Sequence, residues 1–342
     1  MRTELGEILA RAQETGVFSA AAWSVGTADE VLDRGVLGTR WHGGPAATEH
    51  SLWDLASVTK PIVGLAVVAL AERGLLDLDD PLPRHLPAYA GGDKASITVR
   101  QVLTHTSGLP GGTPLYREHT TRDALLEAIR IGPLRSAPGT RVEYSSQGFI
   151  LLGLIAEVAG GAPLDRLVAD LVTQPAGLTA TGFGPAGGFL ADAVATEDCP
   201  WRGRVVCGQV HDENAVVLGG VCGHAGLFAP LRDVERLGQV LAGGAQALLK
   251  PASHAAMIAC HTEDLALRRG LAWQGLDGPG SPVGTALEPT AYGHTGFTGT
   301  SLWVEPARGR YYVLLTNRVH PSRTTPGIET VRREFHASAA SR

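Results

Sequence analysis

Segments that read as β-strands occupy the two ends of this chain, and the long stretch between them reads as helix and loop. Near the N-terminus, Phe18 to Gly26 and Val31 to Leu37 are apolar runs separated by Thr27-Ala28-Asp29-Glu30, which predicts a hairpin. Near the C-terminus, strands are expected at Gly270 to Gln274, Ala291 to His294, Thr300 to Val304 and Tyr311 to Leu315. The last two are joined by the turn Glu305-Pro306-Ala307-Arg308-Gly309-Arg310. Strands need partners, so this distribution predicts one layered antiparallel sheet built from both termini and carrying a helical insertion. A chain of 342 residues is long enough to bury a full core in that arrangement.

The helices expected are Met1 to Val17, Ser57 to about Arg73 with Gly74 as its C-cap, Thr98 to Leu103, Arg122 to Ile131, Gly148 to Gly160, Pro163 to Val172, Leu231 to Ala242, Pro251 to Ile258 and Gly327 to Ala337. Leu75 to Pro87 is punctuated by proline and reads as irregular, and residues 180 to 215 read as rich in loops.

Within this frame one short stretch carries chemistry. In Ser57-Val58-Thr59-Lys60 the serine and lysine are three residues apart, so both fall on one face of a helix, about one turn from each other. A hydroxyl is a weak nucleophile until a neighbouring base takes its proton, and a lysine kept neutral by burial can be that base. Pro61 is tolerated only in a first helical turn, which puts Ser57 at or near the helix N-terminus, where free N–H groups and the dipole favour a developing oxyanion. The lysine is also rare. Of 29 Lys and Arg only Lys60, Lys94 and Lys250 are lysines, and 29 minus 3 leaves 26 arginines. Arginine cannot deprotonate in a protein, whereas lysine can.

The bulk properties exclude several classes. A net charge of −5 with scattered basic residues leaves no nucleic-acid footprint. The longest apolar run, Pro61 to Leu70, is too short to span a bilayer. The N-terminal stretch carries Glu4, Glu7 and Glu14, unlike the uninterrupted apolar core of a secretory signal, so the expected location is cytoplasmic. Cys199, Cys207, Cys222 and Cys260 show no C-x-x-C pairing and read as reduced thiols.

Three further stretches stand out. Tyr144-Ser145-Ser146 follows a Pro138-Gly139 turn and precedes an apolar helix; its tyrosine fits either a core aromatic or a phenol presented as a proton shuttle. His294-Thr295-Gly296, followed by Phe297-Thr298-Gly299, fits either an ordinary strand histidine or a polar group lining a cleft, with a glycine that lets a substrate approach the backbone. Gly219 to Leu227 fits a substrate-facing loop and equally a plain tight connection. His211-Asp212-Glu213-Asn214 has no partner ligands at helical spacing, so no metal centre is expected there. No G-x-S-x-G, G-x-x-x-x-G-K-[ST], H-E-x-x-H or helix-opening G-x-G-x-x-G occurs.

Taken in order, Ser57-x-x-Lys60, Tyr144-Ser145-Ser146 and His294-Thr295-Gly296 resemble the three signature elements of the penicillin-recognising serine enzymes. The likeness is to their class C β-lactamase-like branch, which also holds DD-peptidases, family VIII carboxylesterases and natural-product transacylases. It extends over about residues 15 to 320 and includes Leu55-Ala56, Thr104-His105-Thr106-Ser107-Gly108-Leu109-Pro110 and His224-Ala225-Gly226-Leu227. The resemblance implies a mixed α/β fold of the β-lactamase/penicillin-binding-protein kind. Residues 1–75 and 240–342 would form an antiparallel sheet flanked by helices, and residues 76–239 an all-helical subdomain, with the active site in the cleft between them. It implies that Ser57 is the acyl-accepting nucleophile and that Lys60 and Tyr144 share the base and acid work. The backbone N–H groups of Ser57 and Phe297 would form the oxyanion hole, with Ser146, His294, Thr295 and Gly296 lining the cleft. No cofactor or metal is implied.

Two departures bear on substrate. Ser146 stands where lactamases and peptidases commonly have Asn, and His294 stands where they have a fixed positive charge. Both weaken the case for an anionic β-lactam. The expected activity is therefore that of an esterase-type hydrolase acting on a small-molecule ester or amide through an acyl-Ser57. The alternatives are a transacylase that hands the acyl group to an amine or alcohol, and, further off, a β-lactamase or D-aminopeptidase. A non-catalytic sensor on the same fold is the rival from another class. Neither a nucleic-acid nor a membrane partner is expected.

Overall fold

The structure is a computed structural model and describes residues 3–184 and 192–341. Helix α1 (Glu4–Glu14) leads into the hairpin β1 (Ala20–Thr27) and β2 (Val31–Gly38). The two-residue strand β3 (Trp53–Asp54) then delivers the chain to helix α2 (Thr59–Glu72). Helices α3 (Leu82–His85), α4 (Val99–Leu103), α5 (Arg122–Ile131), α6 (Ser146–Gly160), α7 (Leu164–Val168) and α8 (Gln174–Ala176) follow. Next come β4 (Gly182–Phe183), β5 (Ala195–Cys199), β6 (Arg204–Cys207), α9 (Glu213–Val217), β7 (Leu227–Ala229), α10 (Leu231–Ala242) and α11 (Pro251–Ile258). Strands β8 (Gln274–Gly275), β9 (Tyr292–Thr295), β10 (Ser301–Glu305) and β11 (Arg310–Thr316) precede the final helix α12 (Ile328–Ala340).

The main sheet has the order β2-β1-β11-β10-β9-β8 and every neighbouring pair is antiparallel. The N-terminal hairpin thus pairs with the last strand, Trp23 lying opposite Leu314. This is the sheet from both termini that the strand distribution predicts. The central strands β1, β10 and β11 are buried on both faces because both faces are covered, whereas the edge strand β2 is only partly buried. Alternate residues of β1, β10 and β11 divide between two cores. Ala20, Ala22, Leu302, Val304, Val313 and Leu315 enter the large core shared with α2, α6 and α10. Ala21, Trp23, Trp303, Tyr312 and Leu314 enter a second core, shared with α1 and α12. The first core continues without a break into α6, whose Phe149, Leu151, Leu152 and Ile155 are buried among residues of α2 and α4.

Four segments differ from expectation. Residues 180–215, read as loops, contain the short hairpin β5–β6, whose strands are too brief to carry a visible alternation; residues 185–191 of that stretch lie outside the described residues. Leu75 to Pro87 contains the one-turn helix α3, started by Pro81 as its N-cap. The helix expected at Pro163 to Val172 instead passes from α7 into a π-helical turn at Ala169–Thr173. The strand expected at Gly270 to Gln274 pairs only at Gln274–Gly275, because Ala272 turns the backbone to φ +66 inside it.

Candidate active site

The chain reaches Ser57 by a tight path. Asp54 ends β3, Ala56 takes φ +47, and Ala56–Val58 forms a single 3₁₀ turn against the start of α2. A left-handed conformation is costly for alanine, so it persists only where the surroundings hold it. They do so here. Asp54 Oδ1 accepts the Ala56 N–H at 2.8 Å, and its Oδ2 accepts the His211 N–H at 2.6 Å. Burial raises the pKa of this carboxyl. From the other side, Thr298 and Thr300 donate their hydroxyls to the carbonyls of Asp54 and Leu55 at 2.8 and 2.9 Å. Gly296 lies so close that a Cβ there would sit 2.6 Å from the Leu55 carbonyl oxygen, which excludes any side chain. The β9–β10 turn and the serine turn are therefore locked together.

Lys60 is wholly buried. Its Nζ donates to Ser57 Oγ at 3.0 Å and to the His224 carbonyl at 3.0 Å. It also lies 4.8 Å from the centre of the Tyr144 ring and 5.9 Å from that of Phe149. Tyr144, 38% exposed, stands just before α6. It is held from both flanks by His105, whose carbonyl accepts the Glu143 N–H at 2.8 Å and whose Nδ1 accepts the Ser145 N–H at 3.0 Å. The His105 and Tyr144 rings lie 4.7 Å apart. Burial, with Lys60 close by, pushes the His105 pKa well down and keeps Nδ1 an acceptor. Ser145 is the N-cap of α6, and Ser146 is its half-buried first residue.

His294 completes this group, its ring 5.9 Å from that of Tyr144. Burial and the Lys60 cation push its pKa down to about 3, so it is neutral across the physiological range. A neutral ring with its Nδ1 proton can donate to the Thr295 carbonyl at 2.8 Å. The sequence-predicted residues Ser57, Lys60, Tyr144 and His294 are thus brought together, and Gly296 packs against the serine turn.

A cavity of about 340 Å³ opens on the serine. Ser57, Thr113, Tyr116, Asn214, Phe297 and Arg323 are among its lining residues. Ser57 and Phe297 are the predicted residues that line it; Ser146, His294, Thr295 and Gly296, expected to line the cleft, lie outside its wall, as do Lys60 and Tyr144. A larger cavity, about 530 Å³, lies between α11 and the β8–β9 edge and does not reach Ser57.

Several residues that shape the site were not among those predicted. His105 and Asp54 are two; the first lies in a segment noted only as a flank. His224 and Asp212 are another two. His224 Nε2 meets Asp212 Oδ1 at 2.9 Å, and His224 Nδ1 lies 3.2 Å from Cys222 Sγ. Burial opposes a charge on His224, but Asp212 and Cys222 overcome it and raise the ring to about 10, while Asp212 is held low in return. The pair anchors the loop whose carbonyl receives Lys60.

Glu197, Cys199 and Glu213 bring their ligand atoms within 4.8 Å of one another. Arg323 bonds both carboxylates, so the charge of this group is already balanced by a guanidinium. Burial resists the charge on Glu197, yet bonds from His211 and Arg323 hold it at about 2. The stretch His211-Asp212-Glu213-Asn214 is therefore divided: His211 and Glu213 join the Glu197–Arg323 network, and Asp212 pairs with His224.

Comparison with known proteins identifies the family and the fold. The family described as Beta-lactamase matches residues 7–336. A protein from Escherichia coli K12 named "Putative D-alanyl-D-alanine carboxypeptidase" is 33% identical over 309 residues, covering 80% of this chain and 70% of that protein. The hydrolase EstCE1, described as having promiscuous acyltransferase activity, superposes with a TM-score of 0.78 at 22% identity, over 96% of this chain and 97% of its own. Simvastatin synthase from Aspergillus terreus superposes with a TM-score of 0.78 at 20% identity, over 98% and 97% of the two chains. At these identities the two structures establish a shared fold.

Proposed function

This chain belongs to the β-lactamase family, and on that footing we propose that it is a serine hydrolase of the esterase type, forming an acyl-enzyme on Ser57 from a small, uncharged ester or amide. The observation that carries this reading is the buried Lys60 Nζ, 3.0 Å from Ser57 Oγ with the Tyr144 ring beside it. In its neutral form Lys60 takes the Ser57 proton as Oγ attacks the substrate carbonyl. The tetrahedral oxyanion is received by the N–H groups of Ser57 and Phe297, two donors of the kind each worth about 10²–10³ in rate. Tyr144 relays the proton from Lys60 to the leaving oxygen or nitrogen, and the C–O or C–N bond breaks. Water then enters and gives its proton to the same pair, its oxygen attacks the ester carbon, and the acid leaves as Ser57 recovers its hydrogen. Neutral His294 itself offers no charge to a substrate carboxylate, which favours an uncharged substrate.

A carboxypeptidase-type reading has its own support. Arg117 lines the cavity, is exposed and makes no ion pair among the described residues. Its Nε donates to Tyr116 Oη at 3.4 Å; a guanidinium without a carboxylate partner suits a peptide C-terminus, and the 33% identical relative is named a carboxypeptidase.

The test is intact-mass analysis with p-nitrophenyl butyrate, a peptide ending in two D-alanines, and a chromogenic cephalosporin, each with and without a competing amine. Acyl-Ser57 and nitrophenol release from the ester, absent in Ser57→Ala, support the esterase reading. Release of D-alanine at a higher kcat/KM than the ester would transfer the conclusion to the peptidase, and amide product in preference to acid would transfer it to a transacylase. A folded protein that acquires no acyl group from any of the three would overturn the reading altogether.

A further inference from the structure

The residue behind the β9–β10 turn is as telling as those in front of it. Arg332 projects from α12 and is 7% exposed. Among the described residues no carboxylate lies within ion-pair distance of it, and its Nε has no partner. Burial pushes its pKa down to about 10, with Glu329 opposing the shift, so it still carries its charge near neutral pH. A buried cation without a counter-ion is costly, and it needs a reason.

Its two bonds supply one. Arg332 Nη2 donates to the Gly296 carbonyl at 2.8 Å and to the Thr300 carbonyl at 3.0 Å. The Gly296 carbonyl is one end of the peptide group whose other end is the Phe297 N–H. That group is planar and trans, so C=O and N–H point in opposite directions. A guanidinium on the carbonyl aims the N–H away from α12. The same charge draws electron density toward the carbonyl oxygen and leaves the N–H a stronger donor. The other flank is fixed too. Arg318 Nε donates to the Phe297 carbonyl at 2.7 Å, and its guanidinium stacks 4.2 Å from the Phe297 ring. The turn accepts no easy alternative. The Gly299 N–H also bonds the Gly296 carbonyl, at 3.1 Å, and the Gly296 N–H bonds the Thr300 carbonyl, at 2.7 Å.

We infer that Arg332 is a positioning residue for acyl transfer, holding and polarising from behind the peptide whose N–H faces the developing oxyanion. The inference rests on the reading of Phe297 as an oxyanion donor. It gives the site a fixed positive charge one peptide group away from the substrate, where His294 provides none in front.

The experiment uses the wild-type chain with ¹⁵N-arginine and ¹⁵N-phenylalanine labels, titrated with an alkyl boronic acid. Boron accepts the Ser57 Oγ lone pair and becomes a tetrahedral anion, and the serine proton passes to neutral Lys60. Polarisation is reciprocal. An anion on the Phe297 N–H strengthens the carbonyl's pull on Arg332, so both the Phe297 amide and the Arg332 Nη proton should move downfield together. The outcomes separate the two ideas. If the boronate forms no adduct at Ser57, or the Phe297 amide stays still, the oxyanion-hole reading is wrong. If Phe297 moves and Arg332 does not, this inference alone is wrong. Variants give a second readout. Arg332→Gln should lower kcat roughly tenfold while KM holds, and guanidinium ion added to Arg332→Ala should restore part of the loss. Folded variants with unchanged kcat would overturn the inference.

Discussion

Asp212→Asn tests how far the Lys60 site depends on a charge it does not touch. Asparagine keeps an oxygen for the Ala215 N–H, which Asp212 caps at 2.9 Å, so helix α9 retains its N-cap and only the charge is lost. In the folded chain His224 has its pKa raised to about 10, and in the unfolded chain it returns to about 6.5. Between pH 6.5 and 10 the folded state therefore holds a proton that the unfolded state has released, and stability falls as pH rises through that window. Below pH 6.5 both states hold the proton and the full contribution is present. At pH 7 the ring is three units inside its charged form, which corresponds to at most ~4 kcal/mol by linkage. The Asp212 side chain is 35% exposed, so water screens the pair. The expected loss in Asp212→Asn at pH 7 is about 2–3 kcal/mol, with His224 becoming neutral rather than staying as a lone buried cation. Urea denaturation from pH 5 to 10 reads this directly. Wild type should lose stability above pH 6.5 and the variant should be nearly flat there. Turnover should fall as well, because the His224 carbonyl is one of Lys60's two hydrogen-bond acceptors. A variant that matches wild type in midpoint and in slope above pH 6.5 would refute the reasoning.

Lys60→Arg should remove nearly all turnover, since a guanidinium cannot accept the serine proton, whereas Tyr144→Phe should cost roughly 10²–10⁴ in kcat; steady-state rates on a nitrophenyl ester check both. His105→Ala leaves the buried Ser145 N–H unpaired and frees Tyr144, so it should lower stability by ~1–3 kcal/mol and slow acylation with little change in KM. His105, His294 and His336 all have depressed pKa values, the last two at about 3 and about 4. Unfolding should therefore take up protons as pH falls below 6.5, and stability measured by thermal denaturation should drop between pH 6.5 and 4.

Local signals made much of this molecule legible in advance. Helices α5, α10 and α11 lie on their expected residues because each carries its own punctuation: Thr121 caps α5, and prolines open the other two. The meeting of Ser57 and Lys60 was readable because both lie within one turn. Tyr144 and His294 were ambiguous from the residues alone, since nothing local distinguishes a core aromatic or a strand histidine from a cleft one. Only their order along the chain, read by resemblance, singled them out. The supports were invisible. His105 reaches Ser145 across 40 residues, Arg332 reaches Gly296 across 36, and Lys60 reaches the His224 carbonyl across 164. Contacts over such separations are set by the packing of helices on the sheet, and no periodicity encodes them.

The scarcity of lysine is an instructive case. It drew attention to Lys60, yet Lys94 is also buried, donating to the carbonyls of Arg130 and Gly132. There it satisfies carbonyls at the C-terminal end of α5, which no chemistry requires. In this chain two of the three lysines place a compact side-chain nitrogen among main-chain carbonyls. Rarity alone therefore does not single out Lys60: Lys250 is exposed, and Lys94 is buried as Lys60 is. What separates them is the hydroxyl: Lys60 divides its protons between one carbonyl and Ser57 Oγ, whereas the Nζ contacts of Lys94 are both with carbonyls. A buried ammonium bonded to a group that can itself become a nucleophile can pass a proton back and forth, and one bonded to carbonyls can only hold them in position.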